Sequence, residues 1–340
     1  PTLLNQLKRI ILLQGTPGSG RSTFIKKIGL NLAERRYQVQ FWPSPLDASY
    51  MEGVYLPQLE TAIINEDATG DIQVEDYPEI VVHNIDLRDY YNQQDLAGSE
   101  EEIAVLTDQL ETIMGRVKLD LKEVQKSRKQ LANHYENLLN AEKIRVLSQQ
   151  LITEILGEGE RVTHHFARAI TSEGVVDFFE EITGNCTRRY ILEGPPGCGK
   201  SWLMRRIGEE AVSQGHKVGF YHSGLDPDSL EMVVLKSLNI ALADSDIVRA
   251  ANRPGDRYIS LLECSNGHEA LYAQPETREV ERLVSNRLYQ VIEGLTRARQ
   301  VEQKLSKLFT KAMKFDQVDA RRDELIMEIL QMNDLGDSHK

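Results

Sequence analysis

The residues with the clearest chemical meaning form a glycine-rich octapeptide, Gly194-Pro-Pro-Gly-Cys-Gly-Lys-Ser201, which satisfies the pattern G-x-x-x-x-G-K-[S/T] in full. Glycines at these positions let consecutive backbone N–H groups turn toward a phosphate, and the helix that follows directs its positive end at the same anion. In such loops the lysine reaches the β- and γ-phosphates, and the serine hydroxyl ligates Mg²⁺. The sequence therefore predicts a site for ATP and Mg²⁺ with contacts from Gly194, Pro195, Pro196, Gly197, Cys198, Gly199, Lys200, Ser201 and Trp202.

A site of this kind also needs a carboxylate at the end of a nearby strand to hold the metal. Asp244 directly follows the apolar run 240–243 and is one candidate, while Asp226, at the end of the preceding apolar segment, is the other. Asp226 could instead position a water or an acceptor substrate, or cap a helix that begins at 228 or 229. We predict catalytic roles for Lys200, Asp244 and Asp226, with Ser201 and Asp244 as the metal ligands.

The same loop occurs a second time, earlier in the chain. Residues 9–67 align without a gap with residues 188–246, and 20 of the 59 aligned positions are identical. A single repeat of this length indicates two copies of a whole domain.

The first copy departs from the pattern at two positions that matter for chemistry. Arg21 replaces the lysine, and Asn65 stands where the second copy has Asp244. Arginine is bulkier and planar, and asparagine offers Mg²⁺ an oxygen without a charge. We therefore expect this loop to bind phosphate weakly, or to hold nucleotide without hydrolysing it. Its candidate contacts are Gly15, Gly18, Gly20, Arg21, Ser22 and Thr23.

The elements that must position these loops follow the same order in both copies. A short apolar run enters the loop, a helix leaves it, and two further apolar runs follow, which is typical of a parallel sheet with helices on its faces. Each copy then continues into a long charged segment, 99–156 or 276–332. Apolar residues recur there at spacings of three and four, in the two sets Ile103, Leu106, Leu110, Ile113 and Val117, and Val284, Leu288, Val291, Leu295 and Ala298.

Such stripes predict helices with one buried face, paired in an intramolecular hairpin or serving as a docking surface for another protein. We predict an α/β fold of two tandem P-loop domains, residues 1–158 and 159–340, each with a helical hairpin extension. The predicted seam lies near 157–160, where glycine and charge interrupt a helical pattern.

Composition excludes several classes of protein. The 340 residues carry 40 basic and 52 acidic side chains, a net charge of −12, which disfavours a generally basic nucleic-acid binder. The three cysteines, Cys186, Cys198 and Cys264, show no metal-ligand spacing and suit a reducing cytoplasm. No apolar run is long enough to span a bilayer, so we expect a cytoplasmic protein without a membrane partner.

Four further candidates carry weaker signals. His222 is predicted to be structural or catalytic, and His164-His165 to be packing or surface residues. Cys198 could be a redox-sensitive thiol, because helix N-termini acidify thiols, or simply a small residue that the loop tolerates. Arg253 and Arg257 could supply a charge-stabilising guanidinium or lie in a solvated turn.

The tandem loops, the segment Leu225-Asp-Pro-Asp228 and the phrase His165-Phe-Ala-Arg-Ala-Ile-Thr-Ser-Glu-Gly174 resemble a family of duplicated P-loop ATPases from Firmicutes, most of them recorded as hypothetical ATPases. The resemblance spans nearly the whole chain. It implies nucleotide contacts from Gly194, Gly197, Gly199, Lys200 and Ser201, whereas Arg21 departs from the lysine that many relatives keep in the first loop. Each half in that family begins with a segment like 163–187, which implies that such a segment is missing ahead of Pro1.

Three functions fit these residues. The first is a Mg²⁺-dependent ATPase with hydrolysis at the second loop and a weak or regulatory first loop. The second is a small-molecule or nucleotide kinase that uses the same loop, and the third is a nucleotide-gated scaffold acting through its helical extensions. Asp244 is followed by Ser245, which disfavours an AAA+ motor, and the sequence has no Asn-Lys-x-Asp motif, which disfavours a GTPase.

Overall fold

The computed structural model describes residues 7–69, 78–156, 161–248, 253–264 and 275–337. Within these residues the strands are β1 (Arg9–Gln14), β2 (Gln40–Pro43), β3 (Met51–Leu56), β4 (Thr61–Asn65), β5 (Val81–Asp86), β6 (Arg161–Phe166), β7 (Arg168–Thr171), β8 (Gly174–Asp177), β9 (Arg188–Glu193), β10 (Lys217–His222), β11 (Leu230–Leu235), β12 (Ile240–Asp244) and β13 (Asp256–Ser260). The α-helices are α1 (Arg21–Glu34), α2 (Gln93–Leu96), α3 (Glu100–Glu136), α4 (Ala141–Ile155), α5 (Phe179–Thr183), α6 (Lys200–Ser213), α7 (Pro275–Ala312) and α8 (Phe315–Asp337). The predicted seam at 157–160 lies outside the described residues.

The chain forms two compact units that do not coincide with the predicted halves 1–158 and 159–340. Unit 1 contains Pro1–Gly115 and Gly294–Lys340, and unit 2 contains Arg116–Glu293. Each unit therefore combines the sheet of one copy with helical residues from the end of the other copy. The long helices α3 and α7 each contribute residues to both units.

The sheet of unit 1 has the strand order β2-β3-β4-β1-β5. β1 is parallel to both β4 and β5, whereas β3 is antiparallel to β2 and β4. The sheet is thus mixed, not fully parallel as the repeat pattern predicted. The reason lies in the connections, because the few residues between β2, β3 and β4 are too short for the crossover that parallel neighbours need.

One face of this sheet packs on α1 and α8. The core formed there includes Phe24, Ile25, Ile28 and Leu32 from α1, Val318, Leu325, Ile326 and Ile329 from α8, and Ile11, Leu13, Val54 and Ile63 from the strands. α8 closes the second copy of the repeat, yet it buries its apolar face in the unit that holds the first sheet. The first glycine-rich loop, between β1 and α1, lies beside this core.

The sheet of unit 2 has the equivalent order, β13-β9-β12-β11-β10, and continues with β6 beside β10. β9 is parallel to β12 and β13, β11 is antiparallel to β10 and β12, and β6 is parallel to β10. One face packs on α6 and α4 through Ile144, Leu151, Ile152 and Ile155 of α4 and Leu203, Met204, Ile207 and Ala211 of α6. The other face is covered by Ala167 and Phe179.

The apolar stripes of the long helices are buried or half-buried, but not in hairpins within each copy. In unit 1, Leu106 of α3 packs against Val301, Leu305 and Phe309 of α7. In unit 2, Val117 of α3 and Val291 of α7 are buried. The predicted hairpins are therefore wrong in their pairing, because α4 and α8 bury their apolar faces on α6 and α1 instead. No helix within the described ranges is both long and apolar enough to cross a membrane.

Candidate functional site

The second glycine-rich loop connects β9 to α6, at the carboxyl end of a central parallel strand. Gly194, Gly197 and Gly199 have φ angles of +149°, +85° and +96°, which L side chains rarely adopt. A Cβ on Gly194 would also lie 2.5 Å from the sulfur of Cys198. The three glycines are thus required by the backbone conformation. Gly15, Gly18 and Gly20 of the first loop repeat this conformation, with φ angles of +154°, +87° and +91°.

The N-terminus of α6 carries no side-chain cap. Gly199 is its N-cap residue. The first N–H groups of any α-helix have no partner within the helix, and together they form the positive end of its dipole. Trp202 in the first turn is 46% exposed. This end of α6 therefore suits phosphate oxygens, and α1 begins in the same way at Gly20.

Lys200 is almost completely buried, with 5% of its surface exposed, and it lies among oxygens. Its ammonium donates to the carbonyl oxygen of Gly194, and its Nζ lies 2.8 Å from Asp244 Oδ1 and 4.0 Å from Asp246 Oδ2. Burial alone would lower the pKa of Lys200, but the two carboxylates outweigh it and raise that pKa above its usual value. The ammonium is therefore charged at neutral pH.

Asp244 reaches Lys200 because β12 lies directly beside β9 and parallel to it, with Asp244 in register with Leu192. Burial raises the pKa of Asp244, while the ammonium of Lys200 opposes this rise. The side chain also accepts from the N–H of Asp246 at 3.0 Å. Ligands of open α/β sheets bind in the crevice beyond the carboxyl ends of the parallel strands, and Asp244 lies at such an end.

Ser201 and Asp226 occupy different surroundings. Ser201 Oγ accepts a hydrogen bond of 2.9 Å from the N–H of Leu230, which ties the start of α6 to β11. Asp226 lies in the turn before β11, where its Oδ1 accepts from the N–H of Asp228 at 3.3 Å. The helix predicted from 228 or 229, which Asp226 was to cap, is absent there, because β11 begins at Leu230.

The sequence reasoning missed Asp246, the second carboxylate that faces Lys200. A signal was present in the repeat, because Asp246 aligns with the identical Asp67 of the first copy. Asp67 has the equivalent partner, since its Oδ2 lies 2.6 Å from the Arg21 guanidinium. In both loops the acid two residues beyond the end of the equivalent strand thus faces the cation, although the carboxylate nearest to Lys200 is that of Asp244.

The first site keeps the local framework of the second. Ser22 Oγ accepts from the N–H of Met51 at 2.8 Å, as Ser201 does from Leu230. Asn65, in the position of Asp244, is buried and donates to the carbonyl of Met51 at 3.4 Å. Its Oδ1 has no hydrogen-bond partner among the residues described. Arg21 is buried and paired with Asp67, so this cation is already neutralised within unit 1.

Carboxylates dominate the surroundings of Arg21. Burial raises the pKa of Glu302, on α7, to about 6; Arg21 opposes this rise, and the carboxylates of Glu52, Asp67 and Asp47 add to it. Burial likewise raises the pKa of Glu52. The first site therefore offers a phosphate an acidic environment.

Each loop is in close contact with a long helix of its own unit. A Cβ on Gly197 would overlap the backbone carbonyl of Ala132 on α3, and a Cβ on Gly18 would overlap that of Ser306 on α7. Gly199 in turn faces Leu139 and Ile144 of unit 2. The glycines therefore serve the packing of the helices as well as the conformation of the loops.

The weaker candidates lie in ordinary structural environments. His222 Nδ1 contacts the carbonyl oxygen of Pro227 at 2.6 Å and so carries the proton, which leaves Nε2 facing His164 Nδ1 at 3.0 Å. Burial lowers the pKa of His165 to about 4. Arg253 pairs with Glu180, and Arg257 with Glu154 at 2.6 Å.

Cys198 does not have the acidified thiol that its place before a helix suggested. Burial raises the pKa of Cys198 to about 11, although Lys200 opposes the shift. The side chain is 1% exposed and belongs to the core of unit 2. The interpretation as a redox-sensitive thiol is therefore wrong, and the interpretation as a small tolerated residue fits.

Within the described ranges, no group of three or more His, Cys, Asp or Glu side chains could hold a metal by itself. Mg²⁺ commonly binds through one or two carboxylates together with substrate phosphates and water. Asp244 and Ser201, beside an uncapped helix end and a buried lysine, therefore fit a Mg²⁺ ion that arrives with a phosphorylated ligand. No protein-family model, no curated protein and no solved structure gives a significant match to this chain.

Proposed function

We propose that unit 2 binds ATP with Mg²⁺ at residues 194–201 and hydrolyses it. The observation that carries this proposal is the convergence of Lys200 and Asp244, with 2.8 Å between Nζ and Oδ1, at the carboxyl ends of two adjacent parallel strands. A buried ion pair costs desolvation energy and is weak evidence for stability, so its position beside an uncapped helix end favours a role in binding.

In this proposal, different residues of unit 2 contact the phosphates and the metal. The N–H groups at the start of α6 and in the loop hold the phosphate oxygens, and the ammonium of Lys200 turns from Asp244 to the β- and γ-phosphates. Asp244 and Ser201 would hold a Mg²⁺ ion, directly or through water. When bound, the ion would supply charge neutralisation on the phosphate oxygens.

The first unit is proposed to be the weak or regulatory partner. Asn65 replaces the acid that Asp244 supplies in unit 2, and Arg21 replaces the lysine. The carboxylates near Arg21 repel a triphosphate. The loop of unit 2 contacts α3 where Gly197 meets Ala132, and we propose that hydrolysis is coupled to this helix through that contact.

The test is nucleotide binding and phosphate release in matched variants of the full chain. We expect Lys200→Ala and Asp244→Asn to abolish phosphate release, and Arg21→Ala, the equivalent change in unit 1, to leave it nearly unchanged. Equal losses from Lys200→Ala and Arg21→Ala would refute the inequality of the two sites. Failure of the unaltered chain to bind ATP at millimolar ATP and Mg²⁺ would refute the proposed function itself.

A further inference from the structure

The two long helices meet the two loops in equivalent ways. Loop positions correspond at a shift of 179 residues, so that Gly18 corresponds to Gly197. Helix positions correspond at a shift of 174, so that Ser306 of α7 corresponds to Ala132 of α3, and these are the residues whose carbonyls contact the two glycines. The buried pairs of the helices keep the same shift: Val117 and Val291, Val124 and Ala298, Leu131 and Leu305, Tyr135 and Phe309, Ile144 and Val318, and Leu151 and Leu325.

In unit 1, the face of α7 that meets the loop carries two charged residues before Ser306. Arg299 donates to Asp47 Oδ2 at 2.6 Å. Glu302, one helical turn before Ser306, lies close enough to Arg21, Asp67 and Asp47 for their charges to shift its pKa. Because Ser306 contacts Gly18 and Glu302 lies one turn earlier on the same face, this turn of α7 places a carboxylate near the loop of Arg21.

The corresponding residues of α3 in unit 2 are Gln125, Arg128 and Ala132. Their spacings of three and four place them on one face of the helix. Because Ala132 contacts Gly197 as Ser306 contacts Gly18, the register places Arg128 over the loop of Lys200, at the position of Glu302.

Arg128 differs from most arginines that the structure describes in the interactions of its side chain. It is half-buried, and no ion pair or hydrogen bond of its side chain occurs within the part of the chain that the structure describes. The neighbouring Lys126 and Lys129 are exposed. Arg128 is thus a cation on the loop-facing side of α3 without a carboxylate partner among the described residues, whereas Arg21 pairs with Asp67 and Lys200 with Asp244.

We propose that Arg128 contacts the γ-phosphate of ATP bound in unit 2 and stabilises the charge that develops on it during hydrolysis. In that step a water oxygen bonds to the γ-phosphorus and the bond to the bridging β-oxygen breaks. The bonding electron pair leaves with ADP, and the proton of the water passes to the released phosphate or to solvent. An arginine that neutralises this charge accelerates the step by electrostatics alone. The inference rests on the proposed function of unit 2.

The exchange of Arg128 for Glu302 also gives the two units opposite charges at equivalent positions. A guanidinium near the γ-phosphate attracts the anion, and a carboxylate in the same place repels it. α3, which belongs to the first copy, thus supplies the cation for the nucleotide of the second copy, and α7, which belongs to the second copy, supplies a carboxylate to the first. Unit 2 is then the unit that hydrolyses ATP for two reasons, its lysine and its arginine.

The experiment compares Arg128→Ala, Arg128→Lys and the exposed control Lys126→Ala in the full chain. We expect Arg128→Ala to lower kcat by about 10³-fold or more, with a small change in KM and in the Kd of ADP. Its affinity for ADP with aluminium fluoride, which mimics the transferring phosphate, should fall in parallel with kcat. Arg128→Lys should retain part of the activity, added guanidinium should partly restore Arg128→Ala, and Lys126→Ala should behave as the unaltered chain.

Three outcomes would overturn the inference. If Lys200→Ala abolishes turnover while Arg128→Ala keeps the original kcat, the role of Arg128 is refuted and the proposed function stands. If Arg128→Ala and Arg128→Lys weaken ADP binding as much as binding of the aluminium fluoride complex, Arg128 is structural. If the unaltered chain neither binds nor hydrolyses ATP, the proposed function fails first and the inference fails with it.

Discussion

Replacing Lys200 by methionine removes the ammonium that faces the buried carboxylate of Asp244. Both side chains are nearly inaccessible, with 6% and 12% of their side-chain surface exposed. At 2.8 Å and an effective dielectric constant of about 20, their gross attraction is about 6 kcal/mol, part of which is offset by desolvation. Removing one partner of a buried pair costs about 3–5 kcal/mol, and we expect Lys200→Met to lower the free energy of unfolding of unit 2 by this amount.

The loss should depend on pH in a definite direction. Without the ammonium, the pKa of Asp244, already raised by burial, rises further. A buried acid with a raised pKa destabilises the folded state above that pKa, and the penalty disappears as the pH falls toward the unfolded value. Lys200→Met should therefore be more damaging at about pH 8 than at about pH 5.

The two tryptophans of the chain allow unit 2 to be observed by itself. Trp42 lies in unit 1 and Trp202 in the first turn of α6 in unit 2, so a Trp42→Phe background leaves Trp202 as the only tryptophan. In that background, urea unfolding of the parent, Lys200→Met, Asp244→Asn and the double variant forms a thermodynamic cycle. The double variant removes both charges and should recover about 2–4 kcal/mol relative to the sum of the single losses.

The result that would refute this reasoning is additivity. If the double variant loses the sum of the two single losses, the 2.8 Å contact contributes no coupling, and the pairing of Lys200 with Asp244 would not describe the folded chain.

Three further changes are expected to have measurable results. Gly197→Ala should destabilise unit 2 by about 2 kcal/mol more than Gly174→Ala, because both positions have positive φ but only Gly197 faces a helix backbone; equal losses in urea unfolding would contradict this. Glu302→Gln should stabilise unit 1 by about 2 kcal/mol above pH 6 and by less near pH 4.5, because the raised pKa of Glu302 penalises the charged form; Trp42 fluorescence in a Trp202→Phe background measures it, and a gain independent of pH would argue against burial as the cause. Cys198 should react with maleimide only after unfolding, and fast labelling of the native chain would contradict its burial.

Local structure could be predicted where residue type alone decides it. Glycines at three fixed positions between an apolar run and a helix determine the conformation of the loop at 194–199, and an acid directly after an apolar run determines that Asp244 ends a strand. β3 and β11 were not predicted, because apolar and polar residues alternate only weakly in them. Both strands lie inside a sheet, between two neighbouring strands. The short connections on either side of these two strands allow only antiparallel pairing, so each sheet is mixed.

The partners of the helices could not be predicted from periodicity. The stripe of Ile144, Leu151 and Ile155 on α4 indicates that one face of the helix is buried. An apolar face can pack against many other apolar faces, and the pattern does not indicate whether its partner is α3 or α6. The same holds for the charges that face each loop. Arg128 and Glu302 lie far from the loops in sequence, and only the contacts of Ala132 and Ser306 with the glycines indicate their positions.

The exchange of terminal helices has a consequence for how such a chain could have arisen and how it comes apart. α4 belongs to the first copy but packs on α6 of the second, and α8 belongs to the second copy but packs on α1 of the first. In this arrangement, a protein made of one copy would lack the helix that covers its sheet, and its own last helix would lack the surface on which it packs. Two such molecules would bury both apolar faces by exchanging their last helices, which is a domain swap. Fusion of the two genes would then join the swapped pair in one chain. A chain cut between the copies should therefore remain associated until one of the cores melts.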